Sequence, residues 1–246
     1  MSYRPGDAHL ENKILQLVKQ ANPANPLAYV RDIVKEYSRE KLDSYILQSS
    51  ESQLLKSITK GNVHADVMII GEAVSEDQLE LGKDVVYPME GTEGLVLLET
   101  VLNHFHVNPD EIFYMNAVNC FPFKEIDGEI LPRTPNKNEV LEHKTYLDYA
   151  IDIVRPSIII LLGSVALNVY KKEAISKARG EWIDVRGIPA MPTYHPEYFI
   201  QIADKKHPDI IEELKIDFCE DIRKAFLYLQ DQYPDNNVLL SKLEEE

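Results

Sequence analysis

The chain has 246 residues, 44% of them apolar, which suits one α/β domain with an extension and supplies enough apolar side chains for a full core. No apolar run nears the roughly 20 residues that cross a bilayer, and the first residues lack an apolar secretion segment, so the expectation is a cytoplasmic protein with no membrane partner. A formal net charge of −15 argues against a broad basic nucleic-acid face, and two cysteines, Cys120 and Cys219, are too few for a disulfide framework or a four-thiolate metal site.

Residues 1–60 read as helical. Leu10, Ile14, Leu17 and Val18 recur on one face, Asn22 to Pro26 breaks the chain, and the apolar spacing from Leu27 to Ile46 predicts a longer amphipathic helix. Asp66 to Ile70 is a short, β-branched apolar run that predicts a strand buried on both faces. Gly71 ends it and Glu72 follows at its carboxyl end, where open α/β sheets place ligand crevices. A loop from Gly82 to Gly94 leads into a helix from about Leu95 to Phe105. Ile112 to Val118 predicts a second buried strand, with Asn116 near its end. The amide of Asn116 carries a fixed donor and acceptor; it can read a base edge or satisfy loop backbone.

A proline-bearing loop from Phe121 to Pro135 contains the turn Asp127-Gly128. Thr134-Pro135 predicts the start of a helix that runs to about Val154, Arg155-Pro156 stops it, and Ser157 to Leu162 predicts the third strand. Gly163-Ser164 opens the next helix. Arg179 to Trp182 and Gly187 to Met191 suggest a hairpin-like return into Pro192 to Pro196, which holds His195 in a stiff loop. Strands alternating with helices imply a three-layer αβα sandwich around a mostly parallel four-stranded sheet. Right-handed crossovers then put Glu72, Asn116 and His195 on one sheet edge.

Six segments in order carry a resemblance: Gly71-Glu72-Ala73, Tyr114 to Cys120, Arg133 to Pro135, Arg155 to Gly163, Ile175 to Trp182 and Pro192 to Tyr198. Together they resemble family 4 of the uracil-DNA glycosylase superfamily over about Asp66 to Ile200. The resemblance implies a hydrolase of base-excision repair that flips uracil out of DNA and cuts its bond to deoxyribose. It implies that Glu72 positions water or favours a cation-like sugar, and that His195 stabilises the departing anion. Asn116 would pair with the uracil edge, with Ala73, Tyr87 and Met89 also against the base. Arg133, Lys177, Arg179 and Gln201 would face the DNA backbone.

Several positions depart from the family pattern. Val74-Ser75 replaces Pro-Gly, and Gln78 stands where a further carboxylate is expected. Met89 stands at the uracil-stacking phenylalanine, with Tyr87 two residues before it, and Gln201 replaces an arginine. The family holds an iron–sulfur cluster on four cysteines; here only Cys120 falls in place and His143 stands at the next position. The expectation is therefore no cofactor and no metal.

The expected organisation is a helical extension at 1–60, a glycosylase-like domain at 61–230 and an acidic tail at 231–246. The expected partner is uracil-containing DNA, bound by a monomer, with the N-terminal helices or the acidic tail open to a protein partner. A second function class stays open: a catalytically silent glycosylase-fold protein that binds DNA or a protein.

Overall fold

The computed structural model describes residues 26–49, 54–236 and 238–239. In chain order its elements begin with α1 (Pro26–Ser49), β1 (Lys56–Ser57), β2 (Lys60–Gly61), β3 (Val67–Gly71), α2 (Glu76–Glu80), β4 (Val85–Val86) and α3 (Glu93–His104). The middle of the chain gives β5 (Ile112–Asn116), β6 (Phe123–Ile126), β7 (Glu129–Pro132), α4 (Lys137–Val154), β8 (Ile158–Leu162) and α5 (Gly163–Tyr170). Then follow α6 (Ile175–Ala178), β9 (Ile183–Val185), β10 (Ile188–Thr193), α7 (Pro196–Gln201) and α8 (Pro208–Gln232). The predicted apolar face Leu10, Ile14, Leu17 and Val18 lies outside the described residues.

The main sheet has the order β2-β5-β3-β8-β10-β9. Its four central strands are parallel, as the alternation of strands and helices predicts. The sheet is six-stranded rather than four-stranded because β2 and β9 add antiparallel at its two edges. Lys60-Gly61 is too short to leave an apolar signature of its own. The central strands are buried throughout, which explains their unbroken apolar sequence.

Alternate residues of each strand serve opposite layers. Met68, Ile70, Ile159 and Leu161 pack with Leu42 and Ile46 of α1 and with Leu147, Ala150, Ile151 and Val154 of α4. Val67, Ile69, Ile158 and Ile160 pack with Leu98 and Leu102 of α3 and with Phe218, Ile222, Ala225, Phe226 and Leu229 of α8. The α8 set recurs at helical spacing on one face, so the helix is held by this stripe more than by propensity. Phe226 is fully buried, and its truncation to alanine removes about 3–5 kcal/mol.

Two local expectations are corrected. Asn136, not Thr134, caps α4. Its side chain accepts from the backbone of Asn138 and Glu139, and Glu139 accepts from the Asn136 N–H in return. The Asp127-Gly128 turn joins paired strands β6 and β7 rather than closing a plain loop. Both residues have positive φ, 54° and 83°, the backbone of a two-residue hairpin turn. Arg186-Gly187 turns the β9–β10 hairpin in the same way.

Candidate active site

Four parallel strands end at the same edge, and each delivers one piece of a cluster. Glu72 follows β3, Asn116 ends β5, Gly163 follows β8 and His195 follows β10. The chain steps from β3 to β5 on one side and then to β8 on the other, so Glu72 stands at the point where the strand order reverses.

Two glycines form the floor. A β-carbon on Gly71 would lie 2.5 Å from Asn116 Oδ1 and 3.9 Å from His195 Nε2. A β-carbon on Gly163 would lie 2.5 Å from Glu72 Oε1 and 3.0 Å from His195 Cβ. Neither position has room for a side chain, and Gly163 also has φ +85°, which L residues rarely adopt. The three polar groups therefore converge because the backbone between them is bare.

Each polar group is held in a defined state. Glu72 Oε1 accepts from the Val165 N–H at 3.1 Å, in the first turn of α5, where a helix favours negative charge. Asn116 is fully buried; its Nδ2 donates to Ser57 Oγ at 3.2 Å, and among the described residues its Oδ1 has no partner. A buried amide oxygen left open this way is set to take a donor from a ligand. His195 caps α7, and its Nδ1 accepts from the Glu197 N–H at 3.3 Å. That bond leaves the proton of the neutral ring on Nε2, facing Gly71. Burial pushes His195 below the ordinary imidazole value, against the opposing pull of the Glu72 and Glu197 carboxylates. The site thus presents a carboxylate, an amide acceptor and a neutral N–H donor.

The model of the uracil DNA glycosylase superfamily matches residues 58–219. The chain belongs to this superfamily. A type-4 uracil-DNA glycosylase of Thermotoga maritima is 28% identical over 177 residues, covering 70% of this chain and 82% of that protein. That of Saccharolobus solfataricus is 32% identical over 169 residues, covering 65% and 71%. That of Sulfurisphaera tokodaii is 28% identical over 196 residues, covering 74% and 82%. Within the superfamily the chain is most like the type-4 members.

The remaining predicted site residues separate. Ala73 follows Glu72 and packs against the core on the α4 side. Tyr87 is 40% exposed, with its backbone clamped: its N–H donates to Glu90 at 3.1 Å and its carbonyl accepts from Gln78 at 2.7 Å. Met89 is 3% exposed and packs in the cluster that includes Leu98, Tyr194 and Phe199, so it supports the site loop from beneath. Arg133 forks onto Glu139 at 2.6 and 2.7 Å and braces the start of α4. Arg179 forks onto Asp221 at 2.5 and 2.8 Å, and Asp221 also accepts from Thr193 at 2.7 Å. That network fixes the strand end leading into His195. Lys177 and Gln201 are exposed.

Sequence reasoning missed Ser57 and Glu197. Glu197 accepts from the Gly94 N–H at 2.7 Å, tying the His195 loop to the start of α3. Its place two residues after His195 was a usable signal. Ser57 reaches the site through non-local pairing of β1 with β4, and its sequence neighbourhood carries no hint of this.

The residues present do not fit the four-thiolate cluster of the family resemblance. The chain has two cysteines, and they occupy opposite faces of the sheet: Cys120 in the α4-side core and Cys219 on α8. His143 is buried with its Nδ1 accepting from the Asn119 N–H at 3.4 Å, and burial pushes its pKa down to about 4. Among the described residues no group of three or more His, Cys, Asp or Glu side chains could hold a metal ion.

Proposed function

We propose that this protein excises uracil from DNA by hydrolysing the bond between the base and deoxyribose. The observation that carries the reading is the convergence of Glu72, Asn116 and His195 around Gly71 and Gly163. A base stacked in duplex cannot reach groups buried at this sheet edge, so the nucleotide enters flipped. The Asn116 edge takes the uracil N3–H on Oδ1. The His195 Nε2–H donates to O2. As the C1′–N1 bond breaks, its electron pair passes to the base and spreads onto O2, where that donor stabilises the anion. The sugar becomes cation-like, and the Glu72 carboxylate favours that charge and orients the water that adds to C1′. The water's proton leaves to solvent and an abasic site remains.

For the backbone of DNA we assign Lys177 and Gln201, with Lys205 and Lys206 after α7 as further exposed contacts. Arg133 and Arg179 serve the fold instead. With a net charge of −15, this predicts weak binding to undamaged duplex that falls with salt at a slope of about −0.9 per phosphate contacted. The same two arginines, tied to internal carboxylates, leave fewer free cations for DNA and so favour the second reading in the form of a silent protein with a protein partner. Incubation with single- and double-stranded uracil DNA, followed by alkaline cleavage, decides between them. Strand breaks at uracil that disappear in His195→Ala support excision. No breaks above a no-enzyme control, at enzyme excess, defeat it and leave a binding protein.

A further inference from the structure

The Asn116 amide can sit in two orientations of nearly the same shape, related by exchange of its oxygen and nitrogen. They present opposite hydrogen-bonding edges. With Oδ1 on the ligand side, that oxygen and the nearer Nδ2 hydrogen form an acceptor–donor edge that complements uracil N3–H and O4. With the amide reversed, the order of the edge inverts and complements cytosine, whose N3 accepts and whose N4 amino group donates.

We infer that Ser57 is the positioning residue that selects the uracil-reading orientation, an inference that rests on the glycosylase reading above. Ser57 is fully buried. Its N–H donates to the Asn119 carbonyl at 3.1 Å and its position in β1 pairs with Val86 of β4, so its backbone is fixed independently of Asn116. Its hydroxyl has the Ile58 carbonyl within reach as an acceptor at 3.5 Å, and its oxygen accepts from Asn116 Nδ2 at 3.2 Å. One Nδ2 hydrogen is used there, and the reading edge needs it to be the one that points away from Oδ1. The other hydrogen and Oδ1 stay on one edge, and Oδ1 is the atom packed against Gly71. The reversed amide would place a buried NH2 where the open oxygen now packs against Gly71, and an orphaned buried N–H is rarer than an under-satisfied oxygen. Uracil selectivity is thus set one residue behind the residue that touches the base.

The test is Ser57→Ala, which removes one buried oxygen and keeps the backbone pairing, checked for folding by thermal melting. On DNA carrying uracil or cytosine at one site, the ratio of kcat/KM values for the two bases should fall roughly tenfold or more, since one good bidentate base contact discriminates by about 1–3 kcal/mol. A ratio within about twofold of the parent, in a folded variant, overturns the inference. Side-chain 15N NMR gives a reading that needs no turnover. In the parent protein the Asn116 NH2 should show one hydrogen close to Ser57 and should shift with added uracil base but not with cytosine base. In Ser57→Ala that selectivity should vanish. If the parent cuts no DNA yet shows this pattern, the excision reading fails and the orienting role of Ser57 stands. Identical Asn116 signals in parent and variant overturn that role whatever the activity.

Discussion

His195 should act as a neutral donor, and the structure sets how that can be measured. Its Nδ1 is occupied by the Glu197 N–H, so the ring has only its Nε2–H to offer the leaving base. Removal of one preorganised donor at a developing anion costs about 2.7–4 kcal/mol, or roughly 10²–10³ in rate. His195→Ala should lose that much in single-turnover excision from single-stranded uracil DNA at enzyme excess. His195→Gln, whose amide nitrogen can reach the Nε2 position, should recover part of the loss. Burial lowers the His195 pKa below the ordinary 6.5, so the neutral ring is the major form at that pH. The parent rate should therefore stay level from pH 8 down through 6.5 and fall only further into acid, where a proton on Nδ1 would face the Glu197 N–H. A parent rate that rises as pH drops through 6.5 would mean that imidazolium is the working form. That result, or a His195→Ala loss under tenfold, refutes the reasoning.

Gly163→Ala should lose about 1–2 kcal/mol to its left-handed backbone, and because its methyl would press on the Glu72 carboxylate, excision should fall by more than the melting shift explains. Arg179→Met should destabilise by about 3 kcal/mol, since it strands Asp221 almost fully buried, while DNA affinity of the folded fraction changes little; denaturant melts and fluorescence titration separate the two effects. His143, held near a pKa of about 4 against an ordinary 6.5, binds its proton only after the unfolded chain has bound one. Its contribution is complete above pH 6.5 and is lost as pH falls toward 4, so denaturant melts should show the parent losing about 3 kcal/mol relative to His143→Asn across that window. Equal pH slopes in the two proteins would contradict this.

The central strands were legible because burial on both faces forces short unbroken apolar runs such as Val67 to Ile70 and Ile158 to Leu162. Glu72, Asn116 and His195 could be placed on one edge for the same reason: parallel strands all end on the same side. The edge strands were not legible, since two or three residues carry no period. The family resemblance assigns Arg133 and Arg179 to DNA, and nothing in the local sequence shows the partners they have in the fold. Their carboxylates, Glu139 and Asp221, lie 6 and 42 positions away, and the second arrives only once α8 packs on the sheet. Met89 has a positive φ of 57° and packs in the cluster that holds Phe199, neither of which its place in the sequence shows.

The departures from the family pattern in the first loop form a consistent rebuilding rather than scattered losses. Val74, where the resemblance has proline, is buried with Leu55, Val86 and Phe121. Ser75 and Gln78 form a capping box that starts α2: the Ser75 hydroxyl accepts from the Gln78 N–H, and the Gln78 side chain accepts from the Ser75 N–H. The other end of the Gln78 amide donates to the Tyr87 carbonyl. A carboxylate at position 78 could accept from Ser75 but could not donate to Tyr87, so the glutamine links two loops that a glutamate would leave apart. Leu55 and Phe121 flank this cluster and are joined by a backbone bond, Phe121 N–H to Leu55 carbonyl, at 3.1 Å. Two residues from Leu55 is Ser57, and one residue from Phe121 is Cys120, which bridges to Lys56. The apolar cluster therefore braces the same strand that orients Asn116. In a chain with too few thiolates for a four-cysteine cluster, the packing of Val74, Val86 and Phe121 ties the rebuilt loop to the strand that holds Ser57 beside Asn116.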